Sequence, residues 1–229
     1  MKIATWNVER LKHHKYLETM LQEITNIGAD ILVLTETDER LRPDYPYYVH
    51  TPMLHATRPD FYRKTENRVS VFSRYKCVKQ HETYDENTAI CVELETERGN
   101  LLVYGTIMGI RGNRDVTFKS DLIKQMNDIR RLSAQQNPLC VIGDYNLSFF
   151  DNYYFTQEGR DLVEHTFRDC GLDILTGTIP ECVDHIAVTK GFISADMISE
   201  WNTEKVLSDH KGIVIEADTL LEERLRGTI

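Results

Sequence analysis

Two short segments, DILVLT (Asp30–Thr35) and LCVIG (Leu139–Gly143), are almost wholly apolar and show no alternation. Segments this short are strands rather than helices, and without a polar face they are strands covered on both sides. A sheet that contains them needs a packed layer on each face. The chain must therefore fold into a layered structure whose central strands never meet water.

The other elements fit around these two. Lys2–Asn7 alternates and reads as a strand. Leu17, Met20, Leu21, Ile24 and Ile27 fall at helical spacing and predict an amphipathic helix over Leu11–Ile27, ended by Gly28. The segment Arg42–Asn67 carries Pro43, Pro46, Pro52 and Pro59 and reads as loop, with a short strand at Tyr47–His50. Strands are expected at Arg68–Ser73, Cys77–His81, Ala89–Glu95 and Leu101–Thr106, the last two joined by a hairpin at ERGN with its Gly99. The longest helix is expected over Asp115–Gln135 and another over Gln157–Cys170. Strands at Val183–Thr189 and Gly212–Ala217 follow, and a charged helix over Leu220–Arg226 lies in a tail at 218–229. Helices are few and hairpins many, so the order predicts an α/β fold of two packed sheets with helices on the outer faces.

No repeat or linker divides the chain, and 229 residues suit one large domain spanning 1–229. A core of that size needs no metal staple, so a metal would serve chemistry. With 27 Lys+Arg against 36 Asp+Glu the net charge is −9, which argues against a protein that coats nucleic acid by charge alone. An enzyme that grips a few phosphates in a cleft is still allowed. The cysteines, Cys77, Cys91, Cys140, Cys170 and Cys182, are odd in number, none is spaced C-x-x-C, and they read as reduced thiols. Met1–Asn7 reads as a strand rather than a leader, and no apolar stretch reaches the ~18 residues of a membrane span. A cytoplasmic protein without stable membrane association is expected, and a monomer is compatible with it.

Polar residues stand abruptly at the ends of the apolar strands. Asn7 follows KIATW, Glu36 follows DILVLT, and Asp144 and Asn146 follow LCVIG. Asp184 and His185 open VDHIAV, and Asp209 and His210 precede KGIVIEA. Strand ends share a rim where ligands collect, so these groups are expected to converge. Singly, each is an ordinary turn or surface residue.

Together they form an ordered set: WNVE (Trp6–Glu9), LTET (Leu34–Thr37), VSVFSR (Val69–Arg74), GDYN (Gly143–Asn146), VDHI (Val183–Ile186) and LSDH (Leu207–His210). The set resembles the endonuclease/exonuclease/phosphatase family, which includes the exonuclease III-like repair nucleases and DNase I. The resemblance covers residues 2 to about 217. It implies a four-layer α-β-β-α sandwich of two mixed sheets and metal-dependent hydrolysis of phosphoester bonds. It also implies roles. Glu36 would be the main metal carboxylate, with Asn7 beside the metal as a direct or water-mediated ligand and Asp209 in support. Asp144 would orient or deprotonate the attacking water, and Asn146 would position the scissile phosphate or that water. His210 would bond a non-bridging oxygen, and Asp184 would hold its ring.

Elementary chemistry supports these residue types. A phosphodiester is anionic and repels hydroxide, and Mg²⁺ (or Mn²⁺) on oxygen ligands neutralises that charge. Attack needs an aligned water and an acceptor. The transition state spreads negative charge over oxygens, where a cationic donor helps most.

One departure stands out. The strand Leu101–Thr106 leads into Thr106, Ile107 and Met108, where the resemblance implies a Tyr or His. Arg111 or Arg114 is the candidate replacement, and Trp201 is a further candidate substrate contact. Grip on a nucleic-acid backbone is expected from Arg58, Arg63, Lys64 and Arg68, interleaved with Phe61 and Tyr62. Phe149, Phe150, Tyr153, Tyr154 and Phe155 are expected mostly to pack under a loop. The expected substrate is nucleic acid, the alternative being a small phosphorylated molecule.

Overall fold

The computed structural model describes residues 1–217; the tail at 218–229, with the helix expected at Leu220–Arg226, lies outside the described residues. In chain order the strands are β1 (Lys2–Asn7), β2 (Ile31–Asp38), β3 (Tyr47–His50), β4 (Glu66–Ser73), β5 (Lys76–His81) and β6 (Ala89–Thr96). They continue with β7 (Gly99–Ile107), β8 (Leu139–Asp144), β9 (Leu172–Ile174), β10 (Asp184–Thr189), β11 (Met197–Trp201) and β12 (Gly212–Glu216). Among the described residues three α-helices accompany them, α1 (Leu17–Ile27), α2 (Phe118–Ser133) and α3 (Gln157–Asp169).

The strands form two six-stranded sheets, ordered β11-β12-β1-β2-β4-β3 and β5-β6-β7-β8-β10-β9. Each is mixed: β1–β2 and β7–β8 run parallel, and the remaining pairs antiparallel. Alternation sorts the side chains into layers. Ile3, Ile31, Val33, Val69 and Val71 of one sheet meet Ile90, Val103, Cys140, Ile142 and Ile186 of the other. On the outer face of the first sheet, Ala4, Trp6, Leu32 and Leu34 pack on Met20 and Ile24 of α1. On the outer face of the second, Leu102, Tyr104, Leu139 and Val141 pack on α2 and α3. DILVLT and LCVIG are thus covered on both sides, as their composition requires. The result is the four-layer sandwich of two mixed sheets.

The differences from expectation have local causes. The helix expected from Leu11 begins at Leu17, because Glu9, Arg10 and Leu11 take left-handed φ of 49°, 55° and 50° and two 3-10 turns fill the gap. It ends as expected on Gly28 at φ 59°, whose N–H reaches Ile24 O. Strands β9 and β11 are unforeseen: both are edge strands, and four of the five β11 residues are exposed, so no burial pattern marks them. Tyr104 points outward into the α2 layer, as alternation predicts. Among the described residues no helix is long and apolar enough to cross a membrane.

Candidate active site

The inter-sheet core turns polar at one rim. Along β8, Cys140 and Ile142 face the other sheet, and the next inward position is Asp144. Along β10, Asp184 precedes the inward pair Ile186 and Val188, and the antiparallel register sets it directly opposite Asp144. Along β1, Ile3 and Thr5 are followed by Asn7, which arrives from the opposing sheet. Asn7, Asp144 and Asp184 are each at most 2% exposed. Polar residues so deeply buried need partners: Asn7 bonds Asp144, and Asp184 bonds His210.

Asn7 bridges the sheets. Its Oδ1 accepts the Glu9 N–H at 2.9 Å, which turns its amide NH₂ toward Asp144 Oδ2 at 3.1 Å and Glu36 Oε1 at 3.5 Å. An amide donating to two carboxylates holds them in place, while its oxygen accepts the Glu9 N–H. Glu36 reaches the rim through a backbone irregularity. It lies between the pairs Thr35–Val69 and Thr37–Asn67 and has φ 48°, uncommon for a residue with a side chain.

Asn146 follows β8 at φ 51°, a conformation Asn tolerates. Its N–H donates to Asp144 Oδ1 at 2.9 Å and its amide donates to Met108 O at 3.0 Å, while Asn113 donates to its carbonyl at 2.9 Å. Gly143 is required by contact as well as by its φ of 134°, since a Cβ there would lie 2.2 Å from Thr106 O.

His210 stands on the loop before β12. Its Nδ1 donates to Asp184 Oδ2 at 2.5 Å. The loop is fastened by Ser208, whose hydroxyl donates to Asn7 O at 2.6 Å and accepts the His210 N–H at 3.2 Å. Trp6 Nε1 and the Asn202 amide both donate to His210 O. The positioning roles of Asn202 and Ser208 were not foreseen; an Asn just past a strand signals only a turn.

Burial disfavours charge on both key groups, and their neighbours decide the outcome. For Asp144, burial pushes the carboxyl up to about 7; the His210 cation opposes this, while Asp184 and Glu36 add to it. For His210, burial favours the neutral ring, but the charge and hydrogen bond of Asp184 override it and raise the imidazole to about 10. His210 is therefore a cation, oriented by Asp184.

Three carboxylates, Glu36, Asp144 and Asp184, thus meet one imidazolium. Asp184 Oδ1 is buried without a hydrogen-bond partner among the described residues. The donor set is oxygen with excess negative charge, which fits a hard divalent cation. Ligand atoms of Asp144, Asp184 and His210 lie within 4.8 Å of one another. A protonated His210 has no lone pair to give, so Glu36 and the carboxylate face of the cluster fit the cation better than that trio does. Asp209 lies beside it, exposed, with Oδ1 3.8 Å from His210 Nε2 and its N–H donated to Glu9 Oε2.

The remaining candidates separate. Arg111 lines a cavity together with Glu36, whereas Arg114 is exposed and lines neither cavity beside the cluster. Trp201 is a correction: it is buried, edge-on to Trp6 at 5.8 Å, and seated over Gly212, so it packs the α1 layer and does not face substrate. Arg63 is also structural, pairing with Asp38 and Glu66. Phe149 and Phe155 pack under the loop as expected, but Tyr153 and Tyr154 line the cavity beside His210. His185 faces the opposite way from Asp184: its Nε2 donates to Leu147 O at 3.0 Å and its Nδ1 accepts from Thr176.

The sequence profile described as the Endonuclease/Exonuclease/phosphatase family matches residues 4–210. No curated protein matches the chain at a significant level. Among solved structures, it is similar to a 3′ phosphatase, NExo, from Neisseria bound to a product DNA hairpin: 18% identity, TM-score 0.71, covering 95% of this chain and 99% of that one. It is also similar to an AP endonuclease from Archaeoglobus fulgidus at 15% identity and TM-score 0.67, covering 96% and 100%. A third is an endonuclease/exonuclease/phosphatase family protein from Leptotrichia buccalis, at 15% identity and TM-score 0.67, covering 95% and 99%. At such identities these likenesses speak to the fold.

Proposed function

The chain belongs to the endonuclease/exonuclease/phosphatase family, and on that premise we propose that it is a metal-dependent phosphoester hydrolase that cleaves phosphodiester bonds of nucleic acid, with magnesium or manganese as its cation. The observation that carries the diester reading is the pair of cavities flanking the cluster. One, of about 440 Å³, is lined by Asn146, Asp184 and His210; the other, of about 410 Å³, is lined by Glu36 and Arg111. A monoester needs room on one side of its phosphorus, whereas a diester leaves chain on both. The similar structure that holds a DNA hairpin supports nucleic acid as the substrate.

When bound, the cation would neutralise phosphate charge and polarise the phosphorus centre. Glu36 would hold it, with waters completing the shell. Asp144, steadied by Asn7 and the Asn146 N–H, would accept a proton from the attacking water. His210, kept cationic by Asp184, would donate to a non-bridging oxygen as its charge grows. Asn146, anchored to Met108 O, would limit where the phosphate sits. The cluster draws all its residues from one chain, so a monomer suffices. The five free thiols support a reducing compartment such as the cytoplasm.

The test is a turnover screen in Mg²⁺ and Mn²⁺ over single- and double-stranded DNA, RNA, abasic DNA and small phosphomonoesters. Cleavage of a nucleic acid is expected, lost in excess chelator and reduced about 10³-fold by Glu36→Ala, the scale of a main transition-state stabiliser. Full activity in chelator would refute the metal. Turnover confined to small monoesters would replace nuclease with phosphatase.

A further inference from the structure

We propose that the cavity beside Glu36 is a subsite for a second phosphate group of the substrate, next to the one being cleaved, and that Arg58, Arg68 and Arg111 hold it. The proposal rests on the hydrolase reading above for the identity of the neighbouring group.

Four arginines line this cavity of about 410 Å³: Arg10, Arg58, Arg68 and Arg111. Arg10 is already matched, 2.8 Å from Glu66. The other three have no carboxylate within ion-pair distance among the described residues. In a chain of net charge −9, three unmatched guanidinium groups on one cavity are a departure from the whole. The donors are also unsatisfied. Arg68 Nε and Nη1 are buried without a hydrogen-bond partner, and so is Nδ2 of the fully buried Asn67 on the same wall. Buried donors are nearly always paired, and Arg68 spends only Nη2, on the Tyr62 hydroxyl at 3.4 Å, so its guanidinium keeps bonding capacity on the wall of this cavity.

The aromatic residues narrow the choice. Phe61 and Tyr62 would suit a stacked base, but cations already lie over them. Arg58 is 4.8 Å from the Phe61 centroid, and Arg10 is 4.6 Å from Phe61 and 4.9 Å from Tyr62. Such contacts hold guanidinium groups in place. Pre-ordered arginines read the bidentate geometry of a phosphate. Two sources offer that chemistry: the adjacent phosphodiester of a nucleic-acid strand, or the second phosphate of a small bisphosphorylated molecule.

Equilibrium binding to the full chain in EDTA tests this without turnover. The probes are TpT, its terminally phosphorylated forms pTpT and TpTp, a sugar bisphosphate, and inorganic pyrophosphate. One terminally phosphorylated dinucleotide is expected to bind about tenfold or more tighter than TpT, the scale of a charge-assisted contact. Arg68→Gln should erase that advantage. Arg111 is exposed, so Arg111→Gln should reduce it without disturbing the fold, and Arg168→Gln on the outer surface of α3 should leave it intact. A sugar bisphosphate binding tighter than either dinucleotide would support the subsite and identify the small molecule as its source. Equal binding of TpT, pTpT and TpTp with no pyrophosphate affinity would overturn the proposal, as would an advantage that survives both variants. Phosphate-dependent binding with no hydrolysis of any substrate in Mg²⁺ would refute the hydrolase reading alone. Hydrolysis without phosphate preference would refute the subsite alone.

Discussion

The Asp184–His210 pair sets the charge of the polar cluster at the rim of the two sheets. Its sign can be followed in pH. His210 is a cation up to about 10 in the folded chain, against an ordinary 6.5. The pair's stabilisation is therefore complete below about 6.5 and lost as pH rises through about 10. Activity that needs the cation should fall on the same alkaline limb. Asp184→Asn should move that limb down toward 6.5, and pH profiles of kcat/KM will show it; an unmoved limb would remove Asp184 from its orienting role. His185 behaves oppositely. Burial lowers it to about 4, and it serves as a neutral ring between Thr176 and Leu147 O. Its contribution is present above about 6.5 and lost as pH falls through about 4. Denaturant midpoints measured down to pH 4 should fall more steeply in the wild type than in a His185→Gln chain. Both histidines follow an Asp in sequence, and that likeness hides their difference. Alternation turns one side chain outward from its sheet, and a loop turns the other toward the cluster.

Among the elements, the strand ends do the positioning. Gly143 lets β8 pass Thr106 O and deliver Asp144, so Gly143→Ala should displace the carboxylate and lower kcat more than it raises KM. Steady-state kinetics on the cleaved substrate will separate the two. Trp201 belongs to the layer beneath. Trp201→Ala should cost about 3–5 kcal/mol of stability, the usual scale for a buried aromatic truncation, with little change in KM at temperatures where it stays folded. Urea unfolding beside kinetics checks this; a KM effect without a stability effect would return Trp201 to the substrate. The buried strands were legible because burial on two faces leaves a composition. The edge strands β9 and β11 were not, because pairing along one edge leaves none.

At the scale of the molecule, the acidic surface and the arginine-lined cavity act together. The net charge is −9 and the proposed subsite grips a single phosphate, so nucleic-acid affinity should depend only weakly on salt. The proposed subsite neutralises one phosphate beside the one being cleaved, which corresponds to a slope of log K against log salt of about −1 to −2, from ~0.9 per neutralised phosphate. Titrations from low to moderate salt will measure it, and a slope near −8 would mean a footprint much broader than the proposed subsite.

The sequence by itself determined the layered architecture and most of the polar groups that gather at its rim. Apolar runs buried on both faces have no other solution, and the polar residues that end them stand out against those runs. Only the tertiary structure decided how the groups act. Asn7 bridges two carboxylates because two sheets meet at its side chain, and His210 is cationic because a loop brings it to Asp184, 26 residues away in the chain. Trp201 leaves the site for the same reason that Arg68 joins a cavity beside it. Neither burial nor an unmet charge is a property of a residue; each belongs to the neighbours that folding supplies.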